Sequence, residues 1–478
     1  MITTIGVSAF QDKGLTSVVI PDSVQRIDGS AFKDNILVIV TLGSGLTIIG
    51  ASAFENNELV EVIIPDSVTN IGSAAFGNNT LDTVILGQSV ETISGSAFYD
   101  NRLTSVVIPN TVTTLGASAF RKNQLQKVEL SNSLTTIFSY TFEENLLTSL
   151  VISDSVTFIQ SNAFQNNKLV NVTFGTGLTN IANNAFENNE LVEVVIPDSV
   201  TTIGNSAFRQ NNLQILVLGQ SIAKIGNNAF QTNSISSLVL PNSVTDVGNF
   251  AFRHNDLAFV SLPDSLTTIG SSAFRDNDLT ELLIPSSVTS MGSHAFRTNQ
   301  LTSVELGSSL TEISASTFSG NHLTSVVIPD SVTSIGTSAF WSNMLVDITF
   351  GAGLTTIANN AFEMNRFVEI TIPSGISTLS AVVLRLNYLV NVTFSSGLEH
   401  IQTRSLQDNN IESLVFPSSL KSIESDALNL NPLLMIEIDS GVDVHEDAIP
   451  GNFASLYQQN QGGVYSRATT DDSWVQST

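Results

Sequence analysis

The apolar positions of this chain recur in a pattern that repeats every 22 residues. Leu323 to Phe340 reads "LTSVVIPDSVTSIGTSAF", and Leu103 to Phe120 says nearly the same ten units earlier. Leu323, Val326 and Ile328 form L-x-x-V-x-I, whose β-branched content and period-2 ending predict a short strand with one face inward. Pro329 follows, with Gly at the same place in other units (Gly87, Gly219), and either residue stops the strand and turns the chain. Val332 and Ile335 then point inward on a return segment. In the closing G-x-S-A-F, Gly336 is expected to bend the chain and Ser338 to cap a single helical turn. Ala339 and Phe340 fill the centre. The Phe recurs without insertion from Phe10 to Phe362 and continues as Leu384, Leu406 and Leu428. A strict period of this size is the signature of a solenoid, in which each unit buries its apolar face only against its neighbours.

Asn stands three residues after the Phe position, from Asn35 to Asn431, even where the Phe has become Leu. A binding site rarely needs so many copies of one amide. A tight buried turn does, because each unpaired backbone group costs ~1–3 kcal/mol. The side-chain amide both donates and accepts, so a stacked column can serve successive turns.

These columns resemble bacterial leucine-rich repeat proteins of the BspA-like kind, whose units read approximately LxxIxIPxSVTSIGxxAFxxN, over roughly residues 1 to 430. The resemblance implies a right-handed superhelical arc. A parallel β-sheet would line its concave face, and short turns, second β segments or one-turn 3-10 helices its convex side. One departure is visible: the usual Asn or Cys at position nine is here Ser or Gly (Ser23, Ser67, Gly177, Ser331), with Thr at Thr111. About twenty coils at ~4.8 Å each would make an arc roughly 95 Å long. The array is expected over 1–438, its last repeats degenerate. A C-terminal cap over 439–478 is expected to be a β-hairpin around Gly462-Gly463, carrying Phe453, Leu456, Tyr457, Tyr465 and Trp474. "MITTIG" enters in mid-repeat, which reads as a fragment lacking its upstream part and any export signal. Met1 to Phe10 would leave an edge open to end-to-end association of an otherwise monomeric chain.

Composition narrows the function. Hydrophobic residues make up 42% and charged residues 13%, enough apolar material for a long core. The formal charge of −25 disfavours nucleic acid and anionic membrane surfaces, which need basic footprints. Cysteine is absent, which excludes disulfides, thiol catalysis and Cys-based zinc sites. No apolar run of about 18 residues predicts membrane insertion.

A repeat sets like residues in rows, whereas catalysis needs unlike ones together. The histidines share no ligand spacing, and no H-E-x-x-H, phosphate loop or nucleophile elbow occurs. Glu55, Glu58 and Glu61, like Glu187, Glu190 and Glu193, read as solvated rims, and no dedicated loop supports calcium there. The chain is therefore read as a non-enzyme with no cofactor and no metal.

The surface remains. The outward strand column carries Val195, Val217, Val239 and Leu283, and its neighbour two residues earlier adds Ile215 and Phe259. So long an exposed apolar sheet marks binding; the plainer reading is β-propensity alone. Arg253, Arg275 and Arg297 follow the Phe in successive units, as does Arg209, making a basic stripe on an acidic chain. Phe138, Tyr140 and Phe158 replace Gly, Ser and Thr of their columns and are expected to be exposed and adjacent, as interface anchors are. An interrupted Thr column raises ice binding as a distant third idea. The resemblance implies adhesion: a module of a secreted or cell-surface bacterial protein that binds a protein or other extracellular macromolecule. The rival reading is a stiff spacer for a missing domain.

Overall fold

A computed structural model describes residues 2–477 and divides into two compact units, Met1–Val244 and Thr245–Thr478. Both are stacks of 22-residue coils built to one plan. In the first unit, strand Glu61–Ile63 buries Val62 and exposes its two neighbours. The chain then turns at Pro65 and returns through the two-residue strand Asn70–Ile71. Pairing is parallel and shifted by one period: Glu61 lies beside Thr83 and Asn70 beside Thr92. The second unit repeats this, with Ser325 beside Asp347 and Ser334 beside Thr356. Equal columns therefore stack, and the apolar columns become the core.

The Phe column is buried from Phe32 to Phe362, while Phe10 is 44% exposed. In the first unit, rings from Phe10 to Phe230 stack with centroids 5.2–5.8 Å apart and planes within 11°. In the second, Phe252 to Phe362 stack at 5.4–5.9 Å. Beside each ring sits the Asn. Asn189 donates through Nδ2 to the Phe164 carbonyl of the preceding coil (3.0 Å) and to Phe186 of its own (3.2 Å). Its Oδ1 accepts the Leu169 N–H at 3.1 Å. Asn299 does the same with Phe274, Phe296 and Leu279. One side chain thus ties two coils where turning backbone would otherwise be buried unpaired.

The expected helical turn after Gly336 is absent. Ser338 and Ser342 have φ of 56° and 55°. The Ala339 N–H bonds to the Gly336 carbonyl and the Trp341 N–H to that of Ser338, both at 3.1 Å, so the segment is two tight turns. The same two columns are left-handed at Ser30 and Asp34, and at Asn184 and Asn188. Ser and Asn hold this column because short polar side chains tolerate positive φ, not because they cap a helix. Alternate N–H groups (Ser338, Phe340, Ser342) donate to the next coil at 2.9–3.0 Å, so the turns form a ladder of their own.

The three-residue strands carry a second rhythm. Ser17–Val19 pairs with Ile39–Thr41, and Glu61–Ile63 with Thr83–Ile85, but the ladder stops between these pairs. Ser105–Val107 pairs with Lys127–Glu129 in the same way. The second unit shows the pairs Glu281–Leu283 with Ser303–Glu305, Ser325–Val327 with Asp347–Thr349, and Glu369–Thr371 with Asn391–Thr393. In each of these six pairs the first coil has Pro at position seven (Pro21, Pro65, Pro109, Pro285, Pro329, Pro373) and the second has Gly or Ser. Proline has no N–H to add to a ladder, and each of these six Pro coils starts a new pair. Where Gly175 is followed by Pro197 the ladder survives through one register position, Asn171 beside Glu193. The stop after Lys127–Glu129, where Ser153 follows, has no such explanation.

Gly at position seven answers the Pro below it. A Cβ on Gly87 would lie 2.3 Å from the Pro65 carbonyl oxygen, and one on Gly219 would lie 2.1 Å from that of Pro197. The Asp after the Pro completes the join. Asp22 accepts the Ser44 N–H at 2.7 Å, Asp66 that of Gln88 at 2.9 Å, and Asp330 that of Ala352 at 2.8 Å.

The expected hairpin around Gly462-Gly463 is corrected. Residues Phe453–Asn460 are an α-helix, and strand Gly463–Ser466 runs antiparallel to Met435–Ile438, with Ile436 beside Tyr465. A short strand, Val475–Gln476, pairs on its far side. Alternation of bulky residues about a Gly-Gly pair suits a hairpin as letters alone. Phe453, Ala454 and Tyr457 instead fall on one side of a helix, where Phe453 meets Tyr465 and Trp474 edge-on at 5.1 and 5.4 Å. Leu456 is only half-buried.

Candidate interaction surface

The strand at the front of each coil is held by its inward residue and by backbone pairing, so its two outward positions are free of packing duty. In the first unit Val195, Ile215, Val217 and Val239 all point to solvent. Val195 lies beside Val217 in register, and Val217 and Val239 line one shallow hollow of about 370 Å³ with Ser237, Gln220 and Asn242. In the second unit Phe259 and Leu283 are likewise exposed.

The aromatic trio is not an exposed cluster. Tyr140 is 39% exposed, while Phe138 and Phe158 are half-buried. Phe158 stands beside Thr136 in register, and no ring contact joins the three among the described residues. Tyr140 sits in the left-handed column (φ 62°) with the Arg121 guanidinium 5.5 Å from its ring. Arg121 also pairs with Glu143 and with Glu144. Burial pushes the Glu143 carboxyl up, and Arg121 pulls it back only in part.

The arginine stripe is neutralised only in part. Asp276 takes both Arg253 (3.4 Å) and Arg275 (3.3 Å), and Arg209 is tied to Glu187 at 3.3 Å. Arg297 is half-buried and has no ion pair among the described residues. With Arg275 it faces His294, whose pKa is lowered first by burial and then by these two cations. Glu187 is no solvated rim residue: it is buried against Arg209 and accepts from Gln165 at 2.7 Å. Glu55 is held by Lys33 at 2.7 Å.

The sequence reading missed the hollows. Three lie on the strand face, each over an interruption of the strand ladder: between Ile39–Thr41 and Glu61–Ile63, between Ile215–Val217 and Ser237–Val239, and between Asp347–Thr349 and Glu369–Thr371. The signal was present, since each falls where a Gly coil meets a Pro coil. Among the described residues no His, Asp or Glu side chains converge as a metal site, and no helix is long and apolar enough to cross a membrane.

Coils with a parallel front sheet, a buried Asn ladder and a Phe stack define a leucine-rich repeat solenoid. A model of the BspA type leucine rich repeat region (6 copies) matches residues 3–126, 92–214, 223–346 and 316–435, and the chain belongs to this family. Leucine-rich repeat families typically serve protein interaction. No curated protein sequence matches the chain. Among solved structures it is similar to YopM from Yersinia enterocolitica (20% identity, 91% of this chain and 90% of that one, TM-score 0.46). It is also similar to a leucine-rich repeat protein from Bacteroides ovatus (20%, 71% and 80%, 0.43). A leucine rich cell surface protein from Faecalibacterium prausnitzii is a third (24%, 73% and 83%, 0.35). These likenesses concern the fold.

Proposed function

We propose that the chain is the recognition module of a secreted or surface-anchored bacterial protein, binding a protein or other extracellular macromolecule through its strand face. One observation carries this reading. The outward position of the front strand accepts Thr41, Glu129, Thr173 and Glu305 on the same backbone, so folding does not demand an aliphatic residue there. Val195, Val217 and Val239 nevertheless stand exposed together. Burying such residues against a partner returns about 25 cal/mol per Å² of apolar area, and a few adjacent coils supply the ~800 Å² that a standard interface takes from each side.

The test is attachment to immobilised extracellular-matrix glycoproteins and to cultured epithelial cells. Val195→Glu, Val217→Glu and Val239→Glu in one chain should weaken attachment by roughly tenfold or more, the effect of losing a central anchor. Circular dichroism should be unchanged, because the same outward position already carries Glu129 and Glu305 on the same strand. Attachment that survives this variant, and a second one carrying Phe259→Glu and Leu283→Glu, would favour the spacer reading.

A further inference from the structure

The hollow between Ile39–Thr41 and Glu61–Ile63 differs from the other two in its walls. The Asp347–Glu369 hollow exposes no large aliphatic side chain and is rimmed by Thr349, Thr371, Asn391 and Thr393, and the Val217–Val239 hollow exposes two, beside Ser237, Gln220 and Asn242. Here four exposed aliphatic side chains, Val38, Ile39, Val60 and Ile63, stand with Leu42 around a volume of about 690 Å³. Ile39 and Ile63 are 62% and 56% exposed, and Ile36 and Ile85 extend the patch on either side.

Two carboxylates touch this hollow, and they are not equivalent. Asp22 is spent on the Ser44 N–H and hydroxyl, at 2.7 and 3.0 Å. Glu61 is exposed and has no ion pair among the described residues, and the same holds for Glu58 and Asp82 nearby. No cation answers them. From Gly14 to Glu91 the only basic residues are Arg26 and Lys33, already paired with Asp28 (2.5 Å) and Glu55 (2.7 Å).

We propose that this hollow docks a cationic, aliphatic segment of a partner protein, with a lysine or arginine stem lying along Ile39, Val60 and Ile63 and its charged head at Glu61. Long basic side chains bury an apolar stem while keeping the head polar, which is the combination offered here. A second copy of this chain would bring the same unpaired carboxylates to its own face. An anionic lipid surface would be repelled, and the carboxylates do not converge as metal ligands. The inference rests on the strand face being a recognition surface, and it adds the partner's chemistry.

Fluorescence anisotropy with a labelled peptide of alternating lysine and valine tests it on the full chain. Peptides alternating lysine with serine, and glutamate with valine, serve as comparisons. The lysine–valine peptide should bind saturably, and the lysine–serine peptide roughly tenfold more weakly. Glu58→Gln with Glu61→Gln, and separately Ile39→Ser with Ile63→Ser, should each cost about tenfold. Glu281→Gln with Glu305→Gln, on strands of the second unit, should cost nothing. Equal binding of both lysine peptides, equal loss in the Glu281/Glu305 control, or no binding at all would each overturn the site, the first two reducing it to general charge attraction. Cell attachment by the Val195, Val217 and Val239 variant is read separately. Its loss without peptide binding sinks this site and leaves the broader reading standing.

Discussion

Asn189 illustrates how much one repeated residue carries. Replacing it with Ala orphans the buried Leu169 N–H, while the Phe164 and Phe186 carbonyls lose one donor each and keep another, from Asn167 and Asn211. With one buried group left without a partner, Asn189→Ala should cost ~1–3 kcal/mol, less than Phe186→Ala, for which ~3–5 kcal/mol is expected. Hydrogen exchange of the Leu169 and Leu191 amides would show whether the damage is local, as nearest-neighbour stacking requires. A second residue-scale effect depends on pH. Hydrogen bonds from Ser44 and Thr176, backbone first, hold Asp22 and Asp154 below the ordinary carboxylate range. Their stabilisation is therefore present at neutral pH and fades as pH falls through and below about 3.9. A chain with Asp22→Asn and Asp154→Asn should show a smaller drop in Tm between pH 6 and pH 2.5 than the parent; an equal drop would mean these carboxylates contribute nothing. The Asn column was readable beforehand because only a buried amide explains so regular a recurrence. The Ser338 column misled, since Ser suits both a helix cap and a left-handed turn, and only backbone geometry separates the two.

Among elements, the pair of coils is the unit that the 22-residue period conceals. Pro65 begins a pair and Gly87 completes it, with Asp66 bonding across. Gly87→Ala forces a Cβ to 2.3 Å from the Pro65 carbonyl, where only backbone can yield. A loss of about 1–3 kcal/mol is expected by urea unfolding, against almost none for Gly77→Ala, whose nearest neighbour would be 3.5 Å away. The alternation of Pro and Gly is visible as letters, and each letter alone signals only a turn. Its consequence, a strand ladder that stops and restarts with hollows above the stops, depends on which N–H faces which carbonyl. The cap shows the same limit: alternating bulky residues fit a strand, and Tyr457 chose a helix by bonding to the Asp439 carbonyl and the Val442 N–H.

Across the whole chain, 43 acidic residues face 18 basic ones, and several of the basic ones lie in pairs within or between coils. Charge of one sign on closely spaced coils is self-repulsive, and salt screens it over about 10 Å at 0.1 M. Tm should therefore rise from low ionic strength to about 0.5 M sodium chloride, where the Debye length shrinks further. A fall would indicate that the ion pairs outweigh the repulsion.

The sequence by itself determined the period, the inward columns and the Asn and Phe stacks, because a strict repeat without insertions leaves one way to bury every apolar face. It also determined the acidic surface and the outward aliphatic row. Only the tertiary structure decided that Ser338 turns left-handed, that coils join in pairs, that Asp276 and Glu187 engage Arg253, Arg275 and Arg209, and that Ile39 and Ile63 wall a hollow open to solvent. Those outcomes rest on distances between coils, and residues 22 apart in the chain become neighbours only when the stack has formed.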